Sequence, residues 1–200
     1  DYTVVHNSAD TKQYVFDVDV RESMRKQMRW DGKRVVIHVA NFTYQKNNEF
    51  LIDVFYEAYN KEPDLVLVLI GKGPKEEKIK KMVAQYGIDD VVVFLKDISN
   101  VNEYLQAADL FVLPSLFEGY PISALEAQVS GLPCLLSEYI TGESKLIEQC
   151  DFLPLKKELW IHQILSFQKN QSRKTVIDSE KLDNKDLSSM IEKIWCKNTV

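Results

Sequence analysis

Two glutamates lie eight positions apart in the stretch SLFEGYPISALEAQVSGLP, residues 115–133. Glu118 falls in the loop after a predicted strand, and Glu126 lies about one and a half turns into a helix predicted over 121–130. A carboxylate near the start of such a helix can accept two hydrogen bonds from a vicinal diol, each contributing roughly 1.5–3 kcal/mol. We therefore expect Glu126 to hold a diol such as that of a ribose, and Glu118 to hold the hydroxyl groups of a sugar.

The Gly-Tyr-Pro bend between the two acids favours a bound phosphate. Gly119 lets the backbone approach a ligand closely, and Pro121 suits the first position of the helix. Beyond it, the unpaired N–H groups and the positive end of the helix dipole form a cradle for an anion. Two glutamates without context are usually solvated surface acids, but the pattern LPS-x-x-EG-x-P-x-x-x-x-EA-x-x-x-G-x-P is far more specific.

The elements that must position these residues follow from hydrophobic patterning. From residue 34 onward, short buried apolar runs alternate with segments that carry an apolar stripe at helical spacing. Residues 1–33 hold an extended piece at 2–7 and a helix at 21–30, and residues 156–200 are predicted to form two C-terminal helices. The predicted strands are 34–39, 65–70, 91–94, 110–113 and 134–137, and the helices between them are 47–59, 75–86, 101–108 and 121–130.

This alternation, with short connections, predicts an α/β fold: a Rossmann-like, doubly wound parallel sheet with helices on both faces. The whole chain, 1–200, is interpreted as one domain. Ligands of such sheets bind at the carboxyl ends of the strands, near the point where the strand order reverses. The loops at 40–46, 71–75, 95–100, 114–121 and 138–143 are therefore the places where a site is expected.

Composition excludes several classes of protein. The net charge is −5 and no block of basic residues stands out, so nucleic acid is not an expected partner. The three cysteines, Cys134, Cys150 and Cys196, are widely spaced without a CxxC, which favours a reducing compartment over a disulfide framework or a zinc site. No signal peptide and no apolar run of membrane-spanning length is present. The chain begins at Asp1, which suggests a fragment of something longer.

The motif resembles the E-x7-E signature of retaining glycosyltransferases of the GT-B fold, in the group 1 type that includes bacterial polysaccharide and glycolipid transferases. The similarity extends to VVHNSAD (4–10), to HVANFTYQKNNEFLIDVF (38–55) and to QAADLFVLPSLFEGYP (106–121). The resemblance implies the C-terminal, donor-binding lobe of such an enzyme, without the N-terminal acceptor lobe. The residues that carry the motif are Glu118, Gly119, Pro121, Glu126, Ala127, Gly131 and Pro133.

The resemblance also implies roles for individual residues. Lys46 would neutralise the diphosphate of a nucleotide-diphosphate sugar as it leaves, and Glu118 would bind the transferred sugar. Glu126 would hold the ribose, and the backbone around Asp97 and Ile98 would meet the nucleobase. The backbone N–H groups of Gly119, Tyr120 and Ile122, on either side of Pro121, would bind phosphate or sugar oxygens, and Gly71 and Lys72 would lie beside the donor.

The resemblance implies further a hexosyltransferase-type reaction that retains the anomeric configuration, in which the leaving phosphate takes up the acceptor's proton. No cofactor and no metal is expected, in keeping with the lack of a DxD-like cluster at a strand end. The expected partners are a nucleotide sugar and a saccharide or lipid-linked acceptor. The acceptor, and any peripheral membrane association, would be contacted through the missing lobe. A cytoplasmic location is expected, and this domain alone should be inactive because a closed cleft needs both lobes.

Three positions depart from the family pattern: Ala40 adds a methyl group where glycine usually permits close approach, and Asn41 and Lys96 are the other two. Val39-Ala40-Asn41-Phe42 stands where relatives commonly have a VGRF-like sequence, so Asn41 replaces an arginine that partners the lysine on the diphosphate. Losing such a donor costs on the order of 10²–10³ in rate, by analogy with an oxyanion hole. Lys96 stands where many relatives have glycine; it either substitutes for the missing charge or faces solvent.

Other interpretations stay open at this stage. The departures fit a non-catalytic nucleotide-sugar-binding module or a degenerate transferase. An NDP-sugar epimerase or a glycogen-synthase-like polymerase shares the fold, although the loop spacing favours the transferase group. An oxidoreductase is disfavoured because the Gly71-x-Gly73 turn lacks the third glycine of a dinucleotide fingerprint. His38, inside a buried strand, is interpreted as a core histidine rather than a base.

Overall fold

The computed structural model describes residues 11–167 and Arg173. Within this part, the strands are β1 Arg34–Val39, β2 Leu65–Ile70, β3 Val92–Leu95, β4 Leu110–Leu113, β5 Cys134–Ser137 and β6 Cys150–Leu153. The α-helices are α1 Val18–Gln27, α2 Asn48–Lys61, α3 Glu76–Tyr86, α4 Val101–Ala107, α5 Ile122–Val129 and α6 Lys157–Ser166. Short 3₁₀ helices cover Thr11–Tyr14, Asp89–Val91 and Gly142–Ser144.

The six strands form one sheet in the order β3-β2-β1-β4-β5-β6, and every pairing is parallel. The chain builds the sheet outward from β1 through β2 to β3, and then crosses to β4 on the other side of β1. The order therefore reverses between β1 and β4, which is where an open α/β sheet forms its ligand crevice. This is the doubly wound parallel sheet that the sequence predicts.

Two apolar layers enclose the sheet because strand side chains alternate between its faces. Val36, Leu67 and Leu135 point to one side and pack with apolar residues of α2, α3 and α6. Val35 and Ile37 point to the other side and pack with residues of α1, α4 and α5. β2 is buried at all six positions, as expected of a strand covered on both faces.

The amino-terminal end of β4 carries a buried charge cluster. Asp109, 5% exposed, accepts hydrogen bonds from Arg21, from Arg25 Nη1 at 3.0 Å and from the Val35 backbone N–H at 2.8 Å. Arg21 also donates to the carbonyl groups of Gln106, Ala107 and Ala108 at the end of α4. The cluster therefore fixes α1 against α4 and the first residues of β1 and β4.

The predicted elements agree with the structure within a few residues, with one omission. The edge strand β6 was not predicted, and α1 begins at Val18 rather than at 21 because Asp17 caps it, accepting from the N–H groups of Asp19 and Val20. Of the two predicted C-terminal helices, α6 is present, while the second lies outside the described residues, as does the extended piece at 2–7. None of the helices in the described ranges combines the length and the hydrophobicity needed to cross a bilayer.

Candidate functional site

Lys46 and Glu118 meet at the carboxyl ends of β1 and β4. The Lys46 ammonium group donates a hydrogen bond to Glu118 Oε1, and the two side chains are 18% and 10% exposed. Ser115, fully buried, donates to the same carboxylate oxygen at 3.1 Å. Two of the residues predicted to bind the donor, 72 positions apart in sequence, are thus in direct contact at the point where the strand order reverses.

The loops around this ion pair are tied to one another. The Gln45 carbonyl accepts from the Leu116 N–H at 2.8 Å, and the Gln45 side-chain amide donates to the Phe117 carbonyl at 2.9 Å. The Glu118 N–H donates to the Tyr139 carbonyl at 3.3 Å. The loops after β1, β4 and β5 therefore hold Glu118 in place through backbone contacts on both sides, so its position does not depend on its own side chain.

A buried histidine lies beneath Lys46. His38 Nδ1 donates to the Val112 carbonyl at 2.8 Å. His38 Nε2 accepts from the side-chain amide of Asn48, at the start of α2, at 3.0 Å. Burial lowers the pKa of His38 to about 4; the Val112 hydrogen bond opposes this shift and the charge of Lys46 adds to it. The imidazole is therefore neutral near pH 7 and joins β1, β4 and α2. It is a core histidine, as the sequence suggested, and not a base.

Glu126 is half-buried on α5 and has a neighbour of its own. Its carboxylate faces the Tyr14 hydroxyl of the 3₁₀ helix Thr11–Tyr14, which packs against α5. Burial raises the pKa of Glu126, and hydrogen bonding to Tyr14 opposes that shift. The same burial, together with the Glu126 carboxylate, raises the pKa of Tyr14. The residue predicted to bind the ribose, Glu126, is thus a half-buried acid beside the Tyr14 hydroxyl group.

The start of α5 has the open backbone that the Gly-Tyr-Pro bend suggested. A Cβ added to Gly119 would meet no atom within 4 Å, so the fold itself does not require glycine there. Pro121 is the N-cap, one position before the helix, and Ile122 is 43% exposed. The Tyr120 hydroxyl is buried, with no hydrogen-bond partner among the described residues, and its pKa is raised by burial and by Glu143.

The residues after β2 and β3 that were predicted to lie beside the donor or to meet its nucleobase include an exposed ion pair. Lys72 and Asp97 are about two-thirds exposed and bonded to each other at 2.6 Å. This pairing lowers the pKa of Asp97 and raises that of Lys72. Ile98 packs partly into the core. Neither charged side chain contacts Lys46 or Glu118.

The two glycines of the β2–α3 turn have a packing reason. A Cβ on Gly71, whose φ is +153°, would lie 2.0 Å from the Ala40 carbonyl oxygen, and a Cβ on Gly73 would lie 2.5 Å from that of Phe42. The turn therefore closes onto the 40–42 loop. That contact is sufficient to account for the glycines.

The departures from the family pattern occupy two different surroundings. Asn41 is exposed beside this turn. Lys96 is 64% exposed and lies 3.9 Å from Glu76, on the rim of β3. Of the two interpretations of Lys96, the structure favours a charge that faces solvent.

These features can be compared with known proteins. The family model described as "Glycosyl transferases group 1" matches residues 20–178. The chain belongs to this family.

Two curated members of glycosyltransferase families show the extent of the match. The chain is 37% identical over 107 residues to the putative glycosyltransferase EpsF of Bacillus subtilis, covering 54% of this chain and 28% of that protein. It is 37% identical over 152 residues to the UDP-Gal:alpha-D-GlcNAc-diphosphoundecaprenol alpha-1,3-galactosyltransferase of Escherichia coli, covering 73% of this chain and 38% of that protein. The chain thus spans well under half the length of these relatives.

A solved structure extends the similarity to the fold. The Anabaena Alr3699/HepE protein, crystallised in complex with UDP and glucose, superimposes with a TM-score of 0.78 at 18% identity, over 97% of this chain and 56% of that one. The fold of this chain is therefore that of a GT-B glycosyltransferase lobe.

The sequence did not predict several residues that shape the site. Ser115 was quoted in the motif without a role, and Asn48 was read as part of a helix. Tyr14 gave no signal, because its contact with Glu126 joins segments more than 100 positions apart in sequence.

Proposed function

We propose that this chain is the donor-binding domain of a retaining glycosyltransferase, which moves a sugar from a nucleotide-diphosphate sugar to a saccharide or lipid-linked acceptor. The observation that carries the proposal is the contact of Lys46 with Glu118 at the reversal point of the sheet. A phosphate-binding cation beside a sugar-binding acid is the arrangement needed to bind both sides of a sugar–phosphate bond. Membership of the group 1 family supports the same reaction class.

In this proposal, Lys46 neutralises the diphosphate and Glu118 binds the sugar. The N–H groups from Gly119 to Ile122 bind oxygens of the donor, and Glu126 binds the ribose. The loop with Asp97 and Ile98 meets the nucleobase. The chain supplies mainly charge stabilisation and positioning, which act most strongly where water is excluded.

The chemistry assigned to these residues is a substitution with retention at the anomeric carbon. The bond from the sugar to the phosphate oxygen breaks, the acceptor oxygen forms the new bond, and the acceptor's proton passes to the departing phosphate. Lys46 stabilises the negative charge that develops on that phosphate. We propose that no metal takes part; transfer by the full-length enzyme should then persist in EDTA.

Calorimetric titration of the chain with UDP, GDP and ADP tests the proposal. One of the three is expected to bind, and Lys46→Gln is expected to weaken that binding about tenfold to a hundredfold, since a charge-assisted contact to phosphate is lost. Lys61→Gln is the matched control, because Lys61 is exposed at the other end of α2. Absence of measurable heat with all three nucleotides at millimolar concentration would contradict the proposal.

The second candidate is a nucleotide-sugar-binding module without catalysis. Exposed Asn41, in place of the arginine of relatives, favours it. Both candidates predict nucleotide binding. They differ in transfer by the full-length protein, which only the enzyme should show.

The acceptor is assigned to a second lobe. The chain covers 56% of the Anabaena structure and less of the curated relatives. We propose that any peripheral membrane association is made by that lobe. We also propose that the protein is located in the cytoplasm.

A further inference from the structure

Lys46 and Glu118 have different targets in the proposed function but bind each other in the structure. The proposed function gives the diphosphate to Lys46 and the sugar hydroxyls to Glu118. Here the Lys46 ammonium group donates to Glu118 Oε1 instead. Both side chains are largely buried, at 18% and 10% exposure, so water and salt screen their attraction less than that of an exposed pair. An anion that binds Lys46 must therefore compete with this carboxylate.

A diphosphate is well suited to that competition. It carries more negative charge than one carboxylate and offers several acceptor oxygens to a lysine that has three N–H donors. A neutral or singly charged ligand has no such advantage. The ion pair thus disfavours ligands without a diphosphate.

Glu118 is not left without a hydrogen bond when Lys46 leaves it. Ser115 donates to the same Oε1 at 3.1 Å, and the Glu118 backbone is held by the Tyr139 carbonyl. A buried carboxylate stripped of every partner would be strongly destabilising. The retained hydroxyl lowers that cost and keeps the carboxylate at the site, while the place on Oε1 that Lys46 occupied becomes free to accept a hydrogen bond from a sugar hydroxyl.

We infer that Glu118 is the resting counter-ion of Lys46 and that the diphosphate of the donor displaces it. The exchange frees the place on Oε1 that Lys46 occupies, so Glu118 gains an acceptor for the sugar when the diphosphate binds Lys46. This inference rests on the proposed function, and adds to it a competition between the diphosphate and Glu118 for Lys46 and a selection for diphosphates.

The test is the affinity of Glu118→Gln for UDP, GDP and ADP, and for uridine, guanosine and adenosine, measured by calorimetry. Removing the counter-ion should tighten binding of the nucleoside diphosphate about tenfold, or about 1.4 kcal/mol, and leave the matching nucleoside unchanged. Glu138→Gln is the control: Glu138 is exposed in the loop after β5, and its loss changes the net charge equally. It should change neither affinity by more than about twofold.

The outcomes separate this inference from the proposed function. If the wild-type chain binds a diphosphate and Glu118→Gln binds it no more tightly than Glu138→Gln does, the counter-ion inference is wrong and the proposed function stands. If the wild-type chain binds a diphosphate and Glu118→Gln binds it more tightly than both the wild type and Glu138→Gln do, the inference is supported. If neither protein binds any of the three diphosphates, both are overturned.

A second variant guards against misfolding of the first. Glu118→Asp keeps the charge but shortens the side chain, so it should loosen the Lys46 contact and give a smaller gain of the same sign. Thermal unfolding shows which variants are folded. If Glu118→Gln is not, Glu118→Asp decides: a gain in diphosphate affinity supports the exchange, and no gain refutes it.

Discussion

The two ends of strand β4 carry ion pairs of opposite character. At the amino-terminal end, Asp109 is 5% exposed, and both of its oxygens accept hydrogen bonds from arginines or backbone. At the carboxyl-terminal end, Glu118 has two side-chain partners among the described residues, Lys46 and Ser115, both on one oxygen. The arginines at the first end also donate to carbonyl groups of the main chain, whereas Lys46 is bonded to a side chain.

The difference separates an ion pair that stabilises the fold from one that can take part in binding. Removing a partner from a buried cluster whose hydrogen bonds are all satisfied leaves a buried charge without compensation. A pair with spare donors and acceptors beside an open helix start can change partners at small cost. Saturation, more than burial alone, therefore distinguishes the structural end of β4 from the end proposed to bind the donor.

The largest expected effect is on stability, from Asp109→Asn. The variant keeps the shape but leaves Arg21 and Arg25 without their negative partner, and should lower the free energy of unfolding by about 3–5 kcal/mol. Urea denaturation measures it. Asp31→Asn, at an exposed position, should change it by less than about 0.5 kcal/mol. Glu118→Gln should cost less, no more than about 2 kcal/mol, because the new amide oxygen can still accept from Lys46 and Ser115; an equal loss at both ends would break the comparison.

Gly71→Ala should show that part of the carboxyl edge is also rigidly built. The added Cβ would clash with the Ala40 backbone, at a φ of +153° that disfavours side chains, and should cost about 3 kcal/mol. Gly119→Ala is the matched control, with open space and an expected change below about 0.5 kcal/mol. Equal unfolding midpoints for the two variants would mean that the turn adjusts freely.

His38 bonds β4 at Val112, between the two ends of that strand, and should make the stability of the fold depend on pH. Its folded pKa of about 4 lies below the ordinary value near 6.5, so the unfolded chain takes up the proton first as the pH falls. The stability it contributes is complete above about pH 6.5 and is lost towards pH 4. Between pH 7 and 5, the wild type should lose about 2 kcal/mol more than His38→Asn. An unfolding series in pH measures this; the exposed His162→Asn should keep the wild-type profile, and parallel profiles for wild type and His38→Asn would refute the effect.

The smallest expected effect is from Asn41→Arg, which adds a cation to the functional end. If the arginine of relatives acts on the diphosphate, the variant should bind a nucleoside diphosphate about tenfold more tightly, with little change in stability. Asn60→Arg, exposed on α2, adds the same charge elsewhere. Equal affinities of the two variants in calorimetric titration would show that position 41 does not face the diphosphate.

The sheet could be predicted from sequence because buried parallel strands are continuous apolar runs. RVVIHV and LVLVLI coincide with β1 and β2. The edge strand β6 was missed because CDFL carries Asp151, and beyond Cys150 its residues are exposed or half-buried, so it lacks such a run. The start of α1 had a local signal in Asp17, a favoured N-cap residue type, which the prediction did not use.

From the sequence, the fold topology predicts which loops form the site but not which side chains contact each other there. Loops after β1 and β4 must share one edge, so Lys46, Glu118 and Glu126 were expected around one cavity. Lys46 and Glu118 are in contact, whereas Glu126 bonds Tyr14. That they form an ion pair depends on side-chain rotamers and on Ser115, which no spacing encodes. The contact of Tyr14 with Glu126 depends on how the 3₁₀ helix Thr11–Tyr14 packs against α5, which tertiary structure decides and local sequence does not.

The ladder between β1 and β4 comprises Val36 with Leu110 and Ile37 with Phe111, and one residue further the His38 ring bonds the Val112 carbonyl. An imidazole thus spans the two strands just where they begin to part. At the mouth of the crevice the two strands are therefore joined in part by a side chain, and the next link beyond it is the hydrogen bond from the Leu116 N–H to the Gln45 carbonyl. Position 38 offers a way to widen or narrow that mouth by protein engineering while the sheet keeps its order.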